Sequence, residues 1–290
     1  MAGRKRKDVT LEDIDRWIRQ GYGSGKRESY KPWLRIQDVP SKGLSRLVPG
    51  TTVNRGHHLL SKLEFRHFLF FDFSRRYSDI QEQYPLFPLA KTQSIADKLK
   101  IRHPVYRGRW ATPVVLTTDF LLTPHTLNGG VAPLPVESKY KSEFAQSKKL
   151  RRTLEKLELK RRYWKEVHGL DLLIATEDLV PDDLFYNLRV LNQVASPKAP
   201  LRANADRASF LDALATTPWR DVPLGTLLSA VGKKTGYTGR EALELFKHFA
   251  WHHWIEIDLH TKLDLRVALT HLQVATDVAA REHFCARVAA

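Results

Sequence analysis

The stretch PVVLTTDFLLT, residues 113–123, decides how this chain is read. It is apolar and rich in β-branched residues, with prolines at 113 and 124, so it reads as a buried strand. A single acid, Asp119, interrupts it. The chain then turns at HTLNGG (125–130) and returns as APLPVESKY (132–140). This second strand carries Glu137 and Lys139 two positions apart, hence on one face. The spacing predicts a hairpin that presents charged groups at one edge.

Working outward, HHLLSKLEFRHFLFF (57–71) places Leu59, Leu60, Leu63, Phe68 and Phe71 near helical spacing, and Glu64 lies beside that apolar face. SDIQEQYPL predicts a short strand ending at Pro85, and SIADKLKI (94–101) a helix. After the hairpin, KKLRRTLEKLELKRRYWK (148–165) is an amphipathic helix with the stripe Leu150, Leu154, Leu157, Trp164. LDLLIATEDL (170–179) reads as a buried strand closing the first domain. The order is that of an α/β domain, a mixed sheet flanked by helices.

The ends read differently. Residues 1–40 mix charge with Gly and Ser (GYGSGKRESYKPW, 21–33) and predict a mobile or loosely packed basic arm, in which Arg4, Lys5, Arg6 and Lys7 are solvated, touch phosphates or serve as an import signal. SPKAPLRANADR (196–207) has linker composition, so a boundary is expected within 178–206, with one domain over 1–178 and a second over 179–290. Beyond it come ASFLDALATT, LGTLLSAVGKKTG and TGREALELFKHFAWHH as helices, then WIEIDL and LDLRVAL as strands. Three helices and a two-stranded wing predict a winged-helix-like domain, with the third helix offered to a groove.

Composition narrows the partners. The 290 residues carry 47 Lys and Arg against 32 Asp and Glu, a formal charge of +15, which attracts polyanions. No apolar run approaches the roughly 20 residues that span a bilayer, and the basic N-terminus is followed by no apolar stretch, so a cytoplasmic protein meeting nucleic acid is expected, with no membrane partner. The lone Cys285 excludes an intramolecular disulfide and a cysteine zinc site. From Glu137 to Glu166 there are eleven Lys or Arg against five Glu, so Lys148, Lys149, Arg151 and Arg152 are candidate DNA contacts. Lys233, Lys234 and Arg240, at the start of the expected third helix, are candidates for phosphate contacts.

Four residues suit phosphodiester hydrolysis: Glu64, Asp119, Glu137 and Lys139. A hard divalent cation takes one or two carboxylates, with water and phosphate completing its shell, and a nearby ammonium orients the attacking water. On spacing alone the bland alternative stays open: Asp119 caps a strand end, and Glu137 pairs with Lys139 or Lys141 on a solvated edge. Glu155 and Glu158 read as intrahelical pairs. His248 and His252, at i and i+4, lack a third ligand. His57 and His58 read as packed or capping groups.

The segments YKPWLRIQDVPSKG (30–43), HHLLSKLE (57–64), DIQEQYPLFPL (79–89), IRHPVYRG (101–108), TTDFLL (117–122) and TLEKLELKRRYW (153–164) resemble, in order, the TnsA-type endonuclease subunit of heteromeric transposases. The resemblance implies a restriction-endonuclease-like PD-(D/E)xK core followed by a winged-helix-like C-terminal domain. It implies a Mg²⁺-dependent endonuclease, with Mn²⁺ able to substitute, cutting double-stranded DNA at the 5′ ends of a transposon. An integrase-type transposase would act on the 3′ ends, and an AAA+ regulator ATPase would be a further partner, in a bacterial cytoplasm. Carried over, the catalytic residues are Glu64, Asp119, Glu137 and Lys139. The metal shell is Asp119, Glu137 and the Ser138 carbonyl, with Glu64 on a second ion or a bound water; Lys141 is the alternative lysine. A catalytically inactive scaffold and a stand-alone restriction or repair nuclease are the rival expectations.

Overall fold

The computed structural model describes residues 8–39, 44–125, 130–145, 147–195 and 204–288; the side chains of 147–149, 204–206 and 287–288, and Arg4–Lys7, lie outside that description. The chain divides into two units, Met1–Phe68 with Arg76–Leu179, and Leu69–Arg75 with Val180–Ala290.

In the first unit the expected loose arm is packed. Helix α1 (Leu11–Arg19) opens on a capping box: the Thr10 hydroxyl accepts the Asp13 N–H, and the Asp13 carboxylate accepts the Thr10 N–H. Val9, Ile14, Tyr22, Trp33 and Val115 form a buried cluster, with Trp17 and Phe87 set edge-on to Trp33. The glycines there serve close approach rather than looseness: at Gly25, φ +89°, a Cβ would stand 2.4 Å from the Ser29 carbonyl oxygen.

Strands β1 (Arg46–Pro49) and β2 (Gly56–Leu59) pair antiparallel. His57 and His58 thus belong to a strand, and helix α2 starts only at Lys62, running to Ser74. Buried Glu82 explains the extended segment: it takes the His58 N–H at 3.0 Å and His57 Nδ1 at 2.9 Å.

The main sheet follows as β3 (Tyr77–Pro85), helix α3 (Leu89–Lys98), β4 (Thr117–Pro124), β5 (Leu134–Ser138), helices α4 (Lys141–Ala145) and α5 (Ser147–Tyr163), and β6 (Leu173–Ala175). Its order is β3-β4-β5-β6; the first three are antiparallel and β6 runs parallel to β5. The mixed sheet flanked by helices agrees with the expectation. Two details differ. The strand expected over 170–179 shrinks to three residues, of which only Ala175 is buried. The buried stripe of α5 is rotated: Leu157 and Leu159, with Tyr163 and Trp164, pack on Leu86, Ile95 and Leu121, while Leu154 is exposed. Trp164 fixes this face by donating its indole N–H to Thr118 Oγ1 at 2.8 Å, inside β4.

The second unit contains α6 (Asp182–Asn192), α7 (Asn204–Thr216), α8 (Leu224–Thr235), α9 (Gly239–Trp251), β7 (Ile255–Ile257), β8 (Leu272–Val274) and α10 (Val278–Val288). Helix α6 falls where a linker was expected to begin, and α10 was not anticipated. The strand expected at LDLRVAL (263–269) is absent, because Asp264 folds that segment into a turn by accepting both the Arg266 N–H and its guanidinium. Instead β8 pairs with β7, Ile255 opposite Val274. Lys233 and Lys234 lie in the last turn of α8, not at the start of α9. Among the described residues no helix is long and apolar enough to cross a membrane.

Candidate active site

Among the described residues of the first unit, buried carboxylates gather at two places that differ in kind. At the first, Glu82 is saturated: Arg55 donates to both its oxygens at 2.6 and 2.8 Å, and His57 and the His58 N–H add to it. Burial opposes its ionisation, but His57 and Arg55 outweigh burial and hold it well below the usual carboxylate range. Such a group is a structural anchor with no capacity to spare.

The second cluster is under-compensated. The β4–β5 ladder sets Phe120 opposite Val136, and continuing that register puts Asp119 across from Glu137. The Ser138 N–H donates to Asp119 Oδ2 at 2.8 Å, locking the two strand ends together. Lys139 turns back so that its Nζ meets the Ser138 carbonyl at 2.9 Å, Glu137 Oε1 at 3.0 Å and Asp119 Oδ2 at 3.9 Å. Lys141, the alternative lysine, is occupied elsewhere, paired with Asp178.

Glu64, in the first turn of α2, completes the group from another element. Its Oε2 accepts the Leu60 N–H at 2.9 Å and the Gln83 side-chain N–H at 3.1 Å. Burial, then the charge of Asp119, push Glu64 up to about 8. Burial, then Glu137, push Asp119 above its usual range. Burial would raise Glu137 too, but Lys160 and Lys139 outweigh it and hold Glu137 down. Asp119, Glu137 and Lys139 are thus brought together at the ends of β4 and β5, and the charge of Asp119 is felt at Glu64.

Lys160 was missed. It reaches from α5 to Glu137 Oε1 at 2.5 Å and is nearly buried. Nothing distinguishes it in sequence from the ten other cations between Glu137 and Glu166. His67, one turn after Glu64, was also missed. Its Nε2–H donates to the Thr176 carbonyl at 2.9 Å, so its Nδ1 accepts the Ser138 hydroxyl at 2.8 Å. This ties α2 to the end of β5.

The donor set fits a hard cation. Glu137 Oε2 is buried without a hydrogen-bond partner, and a primary ammonium already sits where three oxygens converge. Among the described residues no three His, Cys, Asp or Glu are grouped as metal ligands. Two carboxylates and a backbone carbonyl nonetheless suit Mg²⁺, which keeps water and substrate oxygens in its shell.

The other candidates are spread out. Arg151 and Arg152 both pair with Glu155, Glu158 pairs with Arg161 and Arg162, and the side chains of Lys148 and Lys149 lie outside the described residues. Lys233 is exposed, Lys234 donates to Thr217, and Arg240 is exposed beside Glu244. His248 and His252 each bond a backbone carbonyl, of Val194 and Ala195.

Residues 74–177 match the family model described as TnsA-like endonuclease N terminal, an interval holding Asp119, Glu137, Lys139 and Lys160. Over 153 residues the chain is 40% identical to the transposon Tn7 transposition protein TnsA of Escherichia coli, covering 53% of this chain and 52% of that protein. The chain thus matches about half the length of this relative.

Proposed function

From the match of residues 74–177 to the TnsA-like endonuclease model and the similarity to the Tn7 protein, we propose that the protein is the subunit of a heteromeric transposase that hydrolyses a phosphodiester at the 5′ ends of a transposon. An integrase-type transposase acts on the other strand, an AAA+ regulator is a further partner, and the reaction takes place on DNA in a bacterial cytoplasm. The second unit, a winged-helix-like domain in this reading, holds protein partners or flanking DNA through Lys233, Lys234 and Arg240. The Arg151–Arg152 region of α5 lies along the backbone.

The observation that carries the reading is the convergence on Lys139 Nζ of the Ser138 carbonyl, Glu137 and Asp119, beside a buried Glu137 oxygen that has no partner. Asp119, Glu137 and the Ser138 carbonyl would hold Mg²⁺ there. That ion supplies Lewis-acid stabilisation of the phosphorane charge and a more acidic bound water. Lys139, displaced from its carboxylates, orients the attacking water for in-line displacement. Glu64, held by the Leu60 N–H and the Gln83 amide, would take a second ion or a bound water. Lys160 keeps Glu137 ionised and compensates its charge while Lys139 is engaged.

The test is a strand-resolved digest of supercoiled plasmid carrying transposon ends, with the partner transposase present. A cut on the 5′ strand in Mg²⁺ or Mn²⁺ and none in chelator is expected. Cutting that persists in chelator, or no cutting while DNA and transposase stay bound, overturns the proposal.

A further inference from the structure

We infer that Gln83 is a positioning residue that holds Glu64 in the orientation the cleavage reaction needs. This rests on reading Glu64, Asp119, Glu137 and Lys139 as the nuclease centre.

The β3–β4 ladder pairs each position from Ile80 to Pro85 except Gln83, which falls across from Asp119. There the backbone is left-handed, with φ +50°, a conformation a glutamine rarely adopts inside a strand. Its carbonyl accepts the Trp33 N–H at 3.3 Å. A reversed residue within a strand re-aims its side chain, as a bulge does. Here the side chain is aimed at Glu64.

The amide is pinned at both ends. Its Nε2–H donates to Glu64 Oε2 at 3.1 Å, and Thr117 Oγ1–H donates to its Oε1 at 2.9 Å. With its oxygen taking the Thr117 hydroxyl hydrogen, the amide presents its nitrogen end to Glu64. All three residues are buried. With Leu60 N–H also on Oε2, two amide hydrogens hold the plane of the Glu64 carboxylate. Adjacent Glu82 already anchors β3 through Arg55 and His57, so the strain at Gln83 is not needed for that purpose. Backbone strain that persists because its surroundings impose it is characteristic of functional sites.

The test uses the full chain with its transposase partner. Gln83→Met keeps length and volume and removes both ends of the relay; Thr117→Val removes only the hydroxyl. Gln83→Met should lower kcat for nicking by roughly 10- to 100-fold and weaken Mn²⁺ binding in calorimetry by a similar factor, as outer-shell changes do. KM for DNA should stay within about twofold, because no DNA contact is lost. Thr117→Val, which lets the amide turn over, should show a smaller loss, and the double variant should be no worse than Gln83→Met. If Gln83→Met fails to fold, the isosteric Gln83→Glu keeps the acceptor for Thr117 and sets a carboxylate against Glu64, and should be equally slow. Wild-type nicking and Mn²⁺ affinity in the folded Gln83 variants, or additive losses with Thr117→Val, overturn the inference, provided Glu64→Gln is inactive. An active Glu64→Gln would instead remove Glu64 from the nuclease centre.

Discussion

Glu64→Gln should stabilise the metal-free protein while destroying its activity. Glu64 is buried and rises from 4.5 to about 8, through burial and then the Asp119 charge. The unfolded chain ionises above pH 4.5, whereas the folded one keeps its proton until about 8. A group raised in this way contributes stability that is complete below pH 4.5 and is lost as pH rises toward 8. The loss is about 1.4 kcal/mol per pH unit, hence about 3 kcal/mol at pH 7. The neutral amide of the variant would carry no such penalty, and its side-chain oxygen still accepts the Leu60 N–H. Urea unfolding in chelator, from pH 4.5 to 8, reads the difference directly. The variant should match wild type at pH 4.5 and exceed it progressively above. Excess Mn²⁺ should narrow the gap, because a ligand bound only to the folded wild type stabilises it. Equal stability at every pH, or a variant weaker at pH 8, would refute the claim that this carboxylate is held against its electrostatic preference.

Other consequences can be measured separately. Glu82→Gln leaves buried Arg55 without its counter-charge and should cost about 3–5 kcal/mol in denaturant unfolding, through folding rather than chemistry. Nicking per folded molecule that falls as steeply as for Glu64→Gln would contradict the distinction between the two clusters. Buried His67 and His253 are lowered from 6.5 to about 4, chiefly by burial. Their stabilisation is present above pH 6.5 and is lost as pH falls toward 4, each at about 1.4 kcal/mol per pH unit. His67→Gln should flatten that slope by one group in an acid titration, and an unchanged slope would count against a neutral His67.

Much of the site is legible in sequence because it breaks a pattern. Asp119 interrupts an apolar strand, Glu137 and Lys139 sit two apart in the next, and Glu64 opens an apolar helix, so burial forces their charges to be noticed. The mixed sheet follows from the same apolar runs. Lys160 is illegible because its partner is 23 residues away and α5 offers many equivalent cations. The strained Gln83 is illegible because no local signal demands a left-handed residue there. The packed N-terminal segment reads as an arm because its scattered apolar residues, Val9, Ile14, Tyr22 and Trp33, form a core only together with Val115 and Phe87 from across the fold. In the second unit, an Asp264–Arg266 turn overrides the β-propensity of LDLRVAL.

The central claim is that the oxygens around Lys139 form the metal-dependent cutting centre. Its most direct test compares wild type with Asp119→Ala for nicking of end-containing DNA in Mg²⁺, with the transposase present and binding of both partners verified. Wild type should cut the 5′ strand and Asp119→Ala should leave it intact. Equal cutting by the two would contradict the account.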